Sequence, residues 1–262
     1  MKSIRIKTSL AALVIAGFLQ ISPALNAEPI LYATTGLGSQ LVRIDVGAGT
    51  VSKIGDLGEP FALAVAISPA GRLFTVTHSM PGISGTPQLA SLNRAHGKAR
   101  PFGPNLGEEI FMGLGFSPDG VLYGVNSMSG TAEDGSLFEF DPATGQATQV
   151  GDTGASLQIM DIAFHPNGTM YGAAWDSLYQ IDRTTGHATL VKQFADLKAI
   201  MGLAIDDEGN FYVSEIIETA PLWHVDPDTG EATPVPGVSL SYPHGLEFIP
   251  TPFSRPTSRG KH

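Results

Sequence analysis

The sequence contains no cysteine in 262 residues. That excludes disulfides, thiolate metal centres, thiol nucleophiles and a lipidated cysteine, so stability must come from a hydrophobic core. Charge is scarce, at 15% of residues, and positive charge scarcer still: 15 Lys plus Arg face 25 Asp plus Glu. Six of those 15 lie at the ends (Lys2, Arg5, Lys7, Arg255, Arg259, Lys261), leaving residues 28–252 with nine positive and 25 negative charges, a net of −16. Such a body repels phosphate backbones, because nucleic-acid affinity comes mostly from Lys and Arg displacing counterions. The expected partner is a small molecule or a protein, with no nucleic acid. Motifs for standard chemistry are missing too: no Gly-x-Ser-x-Gly elbow, no His-Glu-x-x-His and no phosphate-cradling Gly-Lys-Ser/Thr.

No apolar run is long enough to span a bilayer. Residues 10–21 form a stretch of about 12, against the roughly 20 a spanning helix needs. Preceded by Lys2, Arg5 and Lys7 and followed by the small residue Ala27, it reads as a signal peptide over residues 1–27. The mature chain is then secreted or periplasmic, with no membrane span. Lack of cysteine favours bacterial export. Residues 251–262 read as a disordered basic tail, and a monomer is expected.

What is abundant is turn-forming: 31 Gly and 19 Pro, pointing to an all-β fold. The chain also repeats itself. Leu41-Val42-Arg43-Ile44-Asp45 recurs as Leu89-Ala90-Ser91-Leu92-Asn93, Leu137-Phe138-Glu139-Phe140-Asp141, Leu178-Tyr179-Gln180-Ile181-Asp182 and Leu222-Trp223-His224-Val225-Asp226, each running into a Gly turn. The Asp or Asn positions lie 48, 48, 41 and 44 apart, a propeller-blade period. A second phrase alternates with the first, as in Gly113-Leu114-Gly115-Phe116-Ser117-Pro118, followed by a Gly turn and a Leu-Tyr strand. Each unit therefore supplies four short antiparallel strands. The last phrase, Gly245-Leu246-Glu247-Phe248, has nothing after it, while the chain body begins at Leu31-Tyr32 without a first strand. The expectation is a single five-bladed β-propeller over residues 28–250, four antiparallel strands per blade, its ring closed by the C-terminal strand joining the N-terminal blade.

The Asp-x-x-Thr-Gly phrases at 141–145 and 226–230 and the Pro-Asp-Gly-x-Leu-Tyr phrase at 118–123 resemble secreted bacterial propeller-repeat proteins. The wider group takes in the NHL and YVTN repeats and the gluconolactonase-like proteins. The resemblance covers roughly residues 29–250 and rests on turn and packing residues, so it implies the fold and leaves the activity open. The repeated Asp is read as a turn residue accepting backbone amides, and Asp206-Asp207-Glu208-Gly209-Asn210 as a solvated turn without calcium-loop spacing.

Departures from the repeat carry more information than its consensus. Where inner strands start, Asp161 replaces Gly, and His244 stands just before one. Where the antiparallel second strands end, the chain has His78, Asn126, Trp175 and Glu215. These points should ring one mouth of the central channel. The resemblance to gluconolactonase-like propellers implies a divalent cation, Ca²⁺ or Mg²⁺, held there by Glu215, Asn126, Asp161 and His244, with Asp161 or His244 as general base. It would serve a metal-dependent hydrolase or lyase of a lactone-like substrate. The favoured reading is non-enzymatic, a module binding its ligand through that mouth with His78, Asn126, Trp175 and Tyr242. A lectin with one sugar site per blade fits worst, since Trp occurs only at 175 and 223. Met112, Met160 and Met201 share a slot with Leu63 and His244. Packing is the expected role, with a soft metal such as Cu(I) as the alternative.

Overall fold

The computed structural model describes residues 29–58, 61–78, 86–127, 135–154 and 157–249. The expected signal segment and basic tail lie outside the described residues. Within them the chain forms twenty strands in five four-stranded sheets. The first sheet holds β1 (Ile30–Thr35), β2 (Gln40–Asp45) and β3 (Thr50–Asp56), with the last strand of the chain, β20 (Leu246–Phe248), on its inner edge. The second orders β4 (Ala66–Ile67), β5 (Leu73–Thr77), β6 (Gln88–Leu92) and β7 (Ala99–Pro101). The third orders β8 (Phe111–Phe116), β9 (Leu122–Asn126), β10 (Ser136–Phe140) and β11 (Ala147–Asp152). The fourth is β12 (Asp161–Phe164), β13 (Met170–Ala174), β14 (Ser177–Ile181) and β15 (Ala188–Gln193). The fifth is β16 (Ile200–Ile205), β17 (Phe211–Glu215), β18 (Leu222–Val225) and β19 (Ala232–Pro234).

The inner strands touch in a closed cycle, β4 to β8, β12, β16, β20 and back to β4. This is the five-bladed all-β propeller that the repeat predicts. Its closure is also as expected: β20 runs antiparallel to β1, with Leu31 opposite Phe248 and Ala33 opposite Leu246. Pairing the two ends of the chain removes exposed sheet edges.

Strand alternation builds the core. Successive residues of a strand face opposite sides of the sheet, so each blade packs against both neighbours. Leu31 and Ala33 join Ala204, Leu222 and Leu246 between the fifth and first blades, while Tyr32 packs with Val65, Ile67 and Leu73 between the first and second. Three more clusters fill the remaining interblade spaces.

Turns follow from their side chains. Asp141 Oδ1 accepts the Ala143 N–H at 2.8 Å, its Oδ2 accepts the Thr144 hydroxyl at 2.8 Å, and Gly145 takes φ 78°. Those bonds hold the Asp141 carboxyl below its usual range. Asp206 is used in the same way, accepting N–H groups of Glu208 and Asn210 at 2.9 and 2.8 Å. Both Asp positions are turn residues, as read from the sequence, but Asp206 is buried where a solvated turn was expected.

Glycines set how closely the inner strands meet at the axis. A Cβ on Gly113 would come within 2.6 Å of Asp161 Cα, and one on Gly202 within 2.6 Å of the His244 carbonyl oxygen. Both contacts are far inside ordinary van der Waals range. Gly202→Ala is therefore expected to lower stability by about 1–3 kcal/mol, the usual range for overpacking, measured by urea denaturation. An unchanged midpoint would mean that the axis has slack.

Candidate functional site

Each inner strand starts at one mouth of the channel, called the upper mouth here, and its antiparallel neighbour ends there. Asn126 pairs with Phe111 and Glu215 with Ile200 at these points. Asp161 opens β12, opposite Ala173. His78, Asn126, Trp175, Glu215, Tyr242 and His244 therefore share this end of the molecule, at different depths.

The outermost layer is apolar and strained. Among the described residues, only Leu37, Trp175 and Tyr242 are non-glycine residues with left-handed backbone, at φ 57°, 52° and 43°. Leu37 and Trp175 lie in the β1–β2 and β13–β14 turns and Tyr242 in the link into β20, all at the upper mouth. A bulky residue in that region costs about 1–3 kcal/mol. Leu37, Trp175 (38% exposed) and Ile217 also present large apolar side chains to solvent here. The Trp175 indole N–H is held by Gln158 Oε1 at 3.2 Å. The lower mouth, by contrast, carries the Asp/Asn-to-Gly turns.

One layer in, the polar residues are committed to the scaffold. Asn126 is fully buried; its Oδ1 accepts the Ser136 N–H at 2.7 Å and its Nδ2 donates to Glu109. Glu215 Oε1 accepts the Lys198 N–H at 3.0 Å. His78, 1% exposed, places Nε2 3.0 Å from the Phe111 carbonyl, and its buried Nδ1 finds no hydrogen-bond partner among the described residues. His244 is buried, with Nδ1 3.1 Å from the Pro243 carbonyl. Burial lowers His78 to about 4 against the pull of nearby carbonyls, with His244 adding a smaller lowering, and burial lowers His244 to about 4. Both imidazoles are neutral at pH 7.

Next comes a ring of Leu63, Met112, Met160 and Met201, buried against one another. The register explains why they point inward. Pairing slips between Phe111 and Gly113 and between Ile200 and Gly202, so Met112 and Met201 are extra residues in β-bulges, a device that re-aims a side chain. His244 holds the same place in the closing strand, just before Gly245, whose N–H donates to the Leu63 carbonyl at 2.8 Å.

Deeper still lies Asp161. Its Oδ1 accepts the Ile162 N–H at 3.0 Å, and Oδ2 accepts the N–H groups of Leu203 at 2.9 Å and Leu246 at 3.1 Å. One fully buried carboxylate thus joins the inner strands of three blades. The corresponding places elsewhere are Ala64, Gly113, Gly202 and Gly245, which leave it room. Two residues along, the pattern repeats with Ala66, Gly115, Ala163, Ala204 and Glu247. Glu247 is half-buried, and the backbone N–H groups of Ile67 and Phe248 favour its charged form. Burial pushes both carboxyls well above the usual range, and the charge of Asp161 pushes Glu247 further.

Glu247 escaped the sequence reading, although the signal was present: an acid in a slot that is otherwise Ala or Gly. The expected cation ligands share one mouth but not one layer. Among the described residues no three His, Asp or Glu side chains gather as a metal-holding group. Asp161 and Asn126 direct their oxygens at backbone N–H groups.

No protein-family model matches this chain, and no curated protein matches it in sequence. Solved structures do. A structural-genomics protein of unknown function from Bacteroides thetaiotaomicron is 14% identical with TM-score 0.58, over 86% of this chain and 62% of that one. A chain of the nidogen/laminin complex is 11% identical with TM-score 0.57, over 84% of this chain and 97% of that one. Virginiamycin B lyase from Staphylococcus aureus is 13% identical with TM-score 0.49, over 84% and 73%. At these identities the first two likenesses show a shared β-propeller fold alone.

The buried carboxyls predict a pH dependence. A proton that Glu247 binds more tightly when folded stabilises the fold fully below its ordinary value of 4.5. That contribution is lost as pH rises through the raised folded value. Glu247→Gln, fixed in the neutral form, escapes the loss. Its stability relative to wild type is expected to grow by roughly 1 kcal/mol or more between pH 4.5 and pH 8, measured by urea denaturation. A constant difference would show that the side chain titrates as in water.

Proposed function

We propose that this chain is an exported β-propeller that binds a small-molecule or protein ligand through the upper mouth of its channel. The observation that carries the reading is the asymmetry of the two ends. The strained non-glycine turns collect at one end together with exposed Leu37, Trp175 and Ile217, whereas the other end is built from Asp/Asn-to-Gly turns; the remaining exposed large apolar side chains among the described residues, Leu190 and Val191, lie on the outer strand β15. Backbone strain persists where the surrounding structure enforces it, and it clusters at ligand sites. Trp175, with an apolar face and a fixed N–H, suits a ligand that is part apolar and part hydrogen-bonding. The acidic body favours neutral or cationic ligands. The signal-like first 27 residues support export.

Binding is favoured over metal-dependent hydrolysis because the oxygens of Asp161 and Asn126 already accept backbone N–H groups. A cation there would have to break them.

Site-specific photocrosslinking tests the reading. A benzophenone amino acid at position 217 is expected to give a defined adduct with a component of the exported fraction. The same group at Asp228, in the β18–β19 turn of the opposite end, is expected to give none, and Trp175→Ala should abolish the adduct at 217. Equal labelling from both ends would reject a single binding mouth.

A further inference from the structure

Beneath the rim, the methionine ring has a composition that packing does not require. The second blade fills its place with Leu63, and Leu would fill the others at similar volume. Three places carry Met and the fifth carries His244. The bulges at Met112 and Met201 turn these residues toward the axis. A second, independent feature lies beside the ring. His78 is fixed through Nε2 to the carbonyl of Phe111, the residue before Met112. Its Nδ1 is buried with no hydrogen-bond partner among the described residues. A buried polar nitrogen left unpaired is unfavourable, and a ligand at the nitrogen would relieve it.

We propose that Met112, Met160, Met201 and His244 form a binding site for Cu(I), with His78 as an additional imidazole donor at its edge. Thioether sulfur and neutral imidazole are soft or borderline donors, and a thioether set selects Cu(I) over hard cations. None of these donors carries charge, which disfavours Ca²⁺ and Mg²⁺, ions that take oxygen ligands. A monocation needs less compensation in a buried site than a dication. The site stands independently of the rim reading: ligand capture at position 217 and metal capture in the ring succeed or fail separately.

The test is competition for Cu(I) against bicinchoninate under ascorbate, using the exported, folded protein. Wild type is expected to retain one equivalent. The Met160→Leu/Met201→Leu double variant should bind weaker by no less than the roughly 10–100-fold that outer-shell changes cost. Met170→Leu, in a different core cluster, should bind as wild type. Met-to-Leu changes conserve volume, and a thermal melt establishes that each variant is folded. Ag(I) titration of methyl-¹³C-methionine protein then identifies the ligands. Shifts at Met112, Met160 and Met201 with Met170 unmoved are expected. The proposal is overturned if folded wild type yields all its Cu(I) to the chelator, if the double variant keeps wild-type affinity, or if Met112, Met160 and Met201 stay unmoved on Ag(I) titration.

Discussion

Each blade ends, at the axis, in a strand edge whose N–H groups have no further strand to receive them. Unpaired buried N–H groups are costly, and five such edges converge on a channel too narrow for another strand. The protein meets this constraint with carboxylates. Asp161 accepts from Ile162, Leu203 and Leu246, and one layer on the Glu247 carboxyl feels the Ile67 and Phe248 N–H groups. Leu246 belongs to β20, the strand that closes the ring. The axial carboxylate and the closure therefore support each other: Asp161 ties the closing strand to the fourth and fifth blades, and the closing strand supplies Glu247.

This arrangement sets a tightly packed axis below the mouth that carries the strained turns. Around the axis, small residues let the strands meet and acids bind their edges. Above, the bulges break the ladder and turn Met112 and Met201 inward. Binding residues are expected on loops positioned by such a scaffold. The strain at Leu37, Trp175 and Tyr242 persists because closed blades beneath hold the loops in place.

Much of this was legible in the sequence. The two alternating phrases gave the blade count, the strand order and the closure, because a repeat reports a structure that recurs in every unit. The Asp of Asp-x-x-Thr-Gly was legible as a turn residue for the same reason. Departures from the repeat located Asp161, His244 and one common mouth, since a changed residue in a fixed slot keeps its position. Depth was not legible. Spacing along strands cannot tell a residue on the rim from one in the channel, so Asp161 and Glu215, expected as joint ligands, lie in different layers. Nor does sequence tell which partner a side chain takes. Asn126 bonds the Ser136 N–H because β10 starts beside the end of β9. Glu247 was overlooked because alternation makes any acid in a short strand look solvent-facing.

The central claim is that Asp161 receives the inner-edge amides of three blades. Amide hydrogen exchange read by ¹⁵N NMR tests it directly. If the account is right, the N–H groups of Ile162, Leu203 and Leu246 exchange as slowly as those paired within the sheets, and Asp161→Ala accelerates these three ahead of the rest. Exchange of the three at the rates of exposed turns in the wild-type protein would contradict it.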